Sequence, residues 1–151
     1  MKRLKTPFIL LTVLTSFLVS SCKKEPAADI YFPNSESKQL VGSWNWIGSS
    51  GGNAGNRINP ATEGYSKQIE FSENGRYYEF QNGKNTLILD YGFEKGKSIF
   101  NSQLQYLIKY KSPADTDFAY GFHSYLFLGN DSLILREECA DCYGHLYVHS
   151  K

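Results

Sequence analysis

Residues 86–94 read Thr-Leu-Ile-Leu-Asp-Tyr-Gly-Phe-Glu, and their spacing decides the fold. Leu87, Leu89, Tyr91 and Phe93 fall on every second position, with Ile88, Asp90, Gly92 and Glu94 between them. A period of two belongs to a β-strand, whose successive side chains point to opposite faces of a sheet. One face of this segment is apolar and the other mostly polar, which predicts a wall with a greasy interior and a wet exterior.

The same pattern extends in both directions. Upstream, Asn82-Gly83 and Glu73-Asn74-Gly75 are turn signals, because Asn-Gly accepts the positive φ of tight hairpins. They bound strands at Arg76–Gln81 and Lys67–Ser72, and a further strand is predicted over Leu40–Gly48. Downstream, Leu104, Tyr106, Ile108 and Tyr110 share one face of a fifth strand, with Ser98–Phe100 as an earlier segment. Strands at Tyr120–Leu128, Ser132–Glu138 and Gly144–His149 follow, the first two joined by an Asn130-Asp131 turn. About eight strands with short sequential turns favour a meander, and closure removes its sheet edges. The expected fold is therefore all-β: an antiparallel up-and-down β-barrel of about eight strands over residues 39–151, with no amphipathic helix.

The 151-residue chain starts differently. Lys2, Arg3 and Lys5 precede an apolar stretch from Pro7 to Val19, and small residues Ser20 and Ser21 stand before Cys22. The stretch is shorter than the roughly 20 residues a spanning helix needs, which favours a cleaved signal peptide, residues 1–21, over a transmembrane anchor. Its removal leaves 13 basic against 15 acidic residues, a formal charge of −2. No basic patch remains, so no nucleic-acid partner is expected. Residues 22–38 carry Pro26 and Pro33 and no apolar period, as a flexible linker does, although Tyr31 and Phe32 could dock on the domain.

Leu18-Val19-Ser20-Ser21-Cys22 resembles the lipobox of bacterial lipoproteins. The resemblance implies lipidation of Cys22 by fatty acyl chains such as palmitate, and hence a membrane partner reached through a lipid anchor. An ordinary secretory peptide with a chance cysteine is the alternative. Lys23 stands where an inner-membrane retention aspartate would be, so the resemblance points to the outer membrane of the cell envelope.

Leu40-Val41-Gly42-Ser43-Trp44, the Phe71–Gly75 turn and the closing run Asp131–Leu135 with Leu146–His149 resemble short bacterial lipocalin-like lipoprotein domains. Gly42 and Trp44 would be the fold signature: the glycine lets the chain bend and the indole plugs the closed end. His149 or Lys151 stands where such domains carry a basic side chain over the indole. The resemblance implies ligand binding rather than catalysis.

Eleven tyrosines and ten phenylalanines are many for so small a barrel. Trp46, Tyr78, Phe80, Tyr91, Tyr106, Tyr110 and Tyr125 are the candidate ligand-binding residues, since tyrosine joins an apolar body to a polar tip. The alternative is a solidly packed barrel serving as a protein-interaction or inhibitor module for an envelope partner. An interior void above about 300 Å³ would favour the ligand; a filled core with an exposed aromatic patch would favour the partner.

The glycine-rich Ser49–Gly64 segment has no Gly-Lys-Ser/Thr ending and is expected to be a mobile flap at the barrel mouth. Cys139 and Cys142, the two cysteines left once Cys22 is acylated, are expected to pair in an oxidising compartment. A redox Cys-x-x-Cys would need a following helix. A zinc site from Cys139, Cys142 and His145, completed by Asp141, His149 or His123, would need reduced thiolates. Neither is adopted, so no metal and no cofactor are assigned. Glu137-Glu138 point to opposite faces of a strand and cannot share a substrate atom, and no catalytic residues are assigned.

Overall fold

The structure, a computed structural model, describes residues 32–118 and 120–151; the signal peptide, Cys22 and the linker up to Tyr31 lie outside the described residues. In chain order it comprises α1 (Ser35–Gln39), β1 (Gly42–Gly51), β2 (Asn56–Ile58), α2 (Pro60–Glu63), β3 (Lys67–Phe71), β4 (Arg76–Gln81) and β5 (Lys84–Lys97). β6 (Leu104–Lys111), β7 (Tyr120–Leu128), β8 (Ser132–Glu137) and β9 (Tyr143–His149) complete it.

Every neighbouring pair is antiparallel, and β9 closes the sheet on β1 over Trp44↔His149 to Gly51↔Tyr143. β1 and β3 to β9 thus form the expected eight-stranded up-and-down barrel. The meander follows from the turns: Asn82 and Gly83 both take positive φ (50° and 74°), as does Gly75 (82°). A bulge between Trp46 and Gly48 shifts the register of β1, so Trp44, Trp46 and Ser49 all lie buried while Ile47 is exposed.

Ser49–Gly64 is not a loose flap. β1 runs on to Gly51 and β2 pairs with it from Ser49↔Ile58 to Gly51↔Asn56. The Asn59 side chain then caps α2 by accepting from the Ala61 and Thr62 amides. Gly51 serves a close approach rather than mobility: a Cβ there would collide with the Cys142 carbonyl oxygen. The linker also ends earlier than its composition suggests. Phe32 packs on Phe93 (6.2 Å between ring centroids), and Asn34 caps α1, whose Ser37 is fully buried. The packed body therefore begins by Phe32 rather than at Gln39.

The core fills the closed end. Leu40, Trp44, Ile69, Phe71, Tyr91, Ile108 and Leu133 are essentially inaccessible to water, each such side chain contributing about 1.5–3 kcal/mol by burial. Trp44 donates its indole N–H to the Leu40 carbonyl at 2.9 Å, tying the turn after α1 to the barrel floor. Tyr91 stacks edge-on against Phe71 and donates its hydroxyl to the Ser72 carbonyl at 3.0 Å.

The exterior is not uniformly wet. Arg76 and Asp90, on the face opposite Tyr77 and Tyr91, form a buried ion pair at 2.7 Å. Phe118 folds back over the same wall, its ring on Gly92, where a Cβ would meet it at 3.2 Å. The tip of the β5–β6 hairpin also reaches the outside of β8. Glu138 accepts from the Ser98 hydroxyl at 2.9 Å and the Ile99 amide at 2.7 Å, and Arg136 lies over the Phe100 ring. Ser98–Phe100 is therefore an anchored turn and not a strand segment.

Candidate functional site

Opposite the packed floor the barrel opens into a cup of about 270 Å³. Its lining comes from the mouth ends of most strands: Lys67 on β3, Tyr77 and Glu79 on β4, Leu87 and Leu89 on β5, and Tyr110 on β6. Gly121 and His123 on β7, Leu135 and Glu137 on β8, and His145 and Tyr147 on β9 complete it. These positions share the inward face, and several of them pair with one another across the ladder, as in Leu87↔Glu79, Tyr77↔Leu89, His123↔Glu137 and Leu135↔His145. The greasy interior read from β5 thus holds for the lower half only. Nearer the mouth water enters, and charged side chains replace Ile69 and Phe71.

Two polar systems organise the cup. Lys67 pairs with Glu79 at 2.8 Å, and Glu79 also accepts the Tyr77 hydroxyl at 3.4 Å. Across from them, Trp46 donates its indole N–H to the Ser49 hydroxyl at 2.8 Å, and Ser49 lies 2.7 Å from Nδ1 of His145. His145 Nε2 in turn stands 3.3 Å from Glu137, a carboxylate that can only accept. Consistent donors and acceptors along this relay put the imidazole proton on Nε2 and make Ser49 the donor to Nδ1. The order serine, histidine, carboxylate is that of an activated nucleophile. Here the buried Ser49 oxygen is engaged by the indole, so the relay orients His145.

Burial sets the protonation of the lining. The His123 imidazole is pushed down to about 4 by desolvation, against the opposing pull of Glu137, and its buried Nδ1 has no protein partner among the described residues. His145 is also lowered by burial, with its bond to Glu137 working the other way. Tyr77 and Tyr110 are raised well above the ordinary phenol range by burial first, then by neighbouring tyrosines. Tyr147 is raised by burial and by Glu79 and Glu137. At neutral pH the cup therefore presents neutral imidazoles and protonated phenols.

Of the seven candidate ligand residues, one lines this cup: Tyr110. Trp46 is buried beneath its wall, stacked on Tyr65 at 5.9 Å. Tyr91 is wholly buried in the floor, and Tyr106 is half-buried towards the closed end, paired with Lys95. Tyr125 packs between Phe93 and Phe127, its hydroxyl pushed up to about 12 by burial and hydrogen-bonded to Asn34. Tyr78 and Phe80 are a correction: strand alternation puts them outside, opposite Tyr77 and Glu79, where they stack on each other and line a shallow depression with Glu70 and Asn74. Aromatic type alone did not give the face. Adjacent tyrosines at 77 and 78 must point oppositely, and the inward one is set by its register with Phe71 and Leu89. His123, Glu137 and His145 are hard to read from sequence as lining residues, because strand-borne polar residues at a barrel mouth resemble solvated surface.

Cys139 and Cys142 have sulfurs at bonding distance, with Cα atoms 5.4 Å apart. Their sulfurs and a Glu137 oxygen lie within 4.8 Å of one another, but paired sulfurs offer a metal no thiolate. His149, a possible further ligand by sequence, lies instead at the closed end against Trp44. Glu137 accepts from the Tyr143 amide at 3.3 Å, which ties the disulfide turn to the cup rim.

No protein-family model matches the chain, and neither a curated protein nor a solved structure matches it. The barrel architecture agrees with the lipocalin-like resemblance, and the site must be read from its own chemistry.

Proposed function

We propose that this chain is a lipid-anchored envelope lipoprotein whose barrel binds a small amphipathic molecule non-covalently, without catalysis. The observation that carries the reading is the cup itself. Tyr110 and Tyr147 line it with hydroxyls that have no hydrogen-bond partner among the described residues, beside an apolar wall of Leu87, Leu89 and Leu135. Convergent polar groups in an apolar recess are what small-ligand sites share, and it is this lining that supports the ligand, since at about 270 Å³ the cup falls just below the roughly 300 Å³ set for the volume. Acylation at Cys22 in the outer membrane fits this geometry: Phe32, ten residues after Cys22, packs on Phe93 in the closed end, so a tether on that N-terminal side would leave the cup to open at the opposite end. Native mass spectrometry of full-length protein from its own envelope tests both parts. The expected result is an acyl mass on Cys22 and a co-purifying small molecule that Leu135→Trp expels; unmodified Cys22 sinks the anchor, and a cup empty to every added probe sinks the ligand.

The protein-interaction reading has its own support. Ile99, Phe100 and Leu104 on the β5–β6 hairpin are 53, 47 and 59% exposed, and Leu126 and Leu128 on β7 are about half exposed. A partner would meet this apolar patch rather than the Ser49–Gly64 and Cys139–His145 segments favoured by the sequence.

A further inference from the structure

The charges lining the cup do not balance. Lys67 is the one cation among its described lining residues, and it is already held by Glu79 at 2.8 Å. Glu137 is the second carboxylate, and its partners, the Tyr143 amide and Nε2 of His145, donate hydrogen bonds without formal charge. Two carboxylates against one ammonium leave the cup at −1, and burial works against a compensating charge on either imidazole.

Aromatic geometry adds to this imbalance. Tyr77 and Tyr110 meet edge-to-face at 5.1 Å, and Tyr147 lines the same space. An aromatic face carries negative potential and attracts a cation, and such aromatic walls recognise ammonium groups. An anion would have to displace Glu79 from Lys67 and then face Glu137 and the ring faces. We propose that the cup selects a small organic cation, an ammonium group on a short apolar body, with the ammonium between Glu137 and the tyrosine rings and the body against Leu87, Leu89 and Leu135. This deepens the ligand-binding reading above and rests on it.

The test compares three probes of one shape on the full-length protein at pH 7: benzylammonium, benzyl alcohol and benzoate, followed by calorimetry and by nuclear Overhauser contacts. The expected result is that benzylammonium binds best, that its methylene contacts the Tyr110 and Tyr147 rings, and that Glu137→Gln weakens it about tenfold without affecting benzyl alcohol. Equal binding of all three, or a preference for benzoate, overturns the charge inference and leaves the cup as a ligand site. Silence of all three overturns both. Glu137 is partly exposed, so Glu137→Gln is expected to fold; Lys67→Met, expected to strengthen benzylammonium binding, supplies a second readout of opposite sign, and weakening there counts against the proposal.

Discussion

The imidazole of His149 stands edge-on against the indole of Trp44, ring centroids 4.9 Å apart at an interplanar angle of 82°, at the seam where β9 closes on β1. Gly42 makes room for this contact. Its φ is +134°, and a Cβ there would meet Nε2 of His149 at 2.9 Å. The signature Gly-Ser-Trp is thus completed by an aromatic nitrogen ring in place of a long basic side chain, and barrel closure depends on all three residues.

Gly42→Ala should therefore destabilise in two separable ways. Backbone strain at a positive φ costs on the order of 1–3 kcal/mol, and the clash with His149 adds to it. Combining it with His149→Ala should recover the clash and not the strain. A double-mutant cycle in urea measures the coupling, and strict additivity would show that the imidazole gives way freely.

Arg76 and Asp90 give a second expectation. Both side chains are about nine-tenths buried and 2.7 Å apart, with Lys111 4.0 Å from the other Asp90 oxygen, so removing one partner takes from a desolvated charge its shortest contact. Asp90→Asn or Arg76→Met should cost about 3–5 kcal/mol, whereas the double change Arg76→Met with Asp90→Leu should cost far less. Denaturant midpoints of the three variants decide it. A double variant as weak as the singles would mean that the outer face needs the pair for more than charge compensation.

Strand alternation makes the barrel legible in the sequence: the period of residues 86–94 and the Asn-Gly turns specify the meander, and Gly42 with Trp44 marks its closed end. The site was less legible, for a physical reason. Tilted strands end at staggered heights, so which inward residues lie in the dry floor and which reach the wet mouth depends on register around the whole barrel. Tyr91 and Tyr110 are identical in type and directly paired, yet one is sealed beneath the other's opening. Glu137 and His145 become a site through the register of the β8–β9 hairpin, and Arg76–Asp90 breaks the alternation rule as a charged pair buried on the outer face.

The disulfide should matter more for local order than for global stability. A ring of only four residues removes little unfolded-state entropy, about 2 kcal/mol at most. Cys139→Ser with Cys142→Ser should lower stability by no more than that, while amide exchange quickens at Gly51 and Tyr143, which face each other beside the bridge. Uniform loss of protection across the barrel would instead make the bridge part of the fold's main support.

His123 sets the acid limit. Its folded value of about 4 lies below the ordinary 6.5, so between those pH values the unfolded chain takes up a proton that the folded barrel refuses. Stability should therefore be flat above about pH 6.5 and fall as the medium is acidified toward 4, at up to about 1.4 kcal/mol per pH unit, or about 3 kcal/mol over the window. Glu137 and Glu138 pull the imidazole up while His145 and Lys67 push it down, but burial outweighs them all. His145 is depressed in the same direction and adds to the slope. Replacing His123 with Gln removes the titrating group, so urea midpoints from pH 7 to pH 5 should lose the larger share of their pH dependence in that variant. A slope unchanged by His123→Gln would place the acid sensitivity elsewhere and mean that the imidazole is hydrated inside the cup.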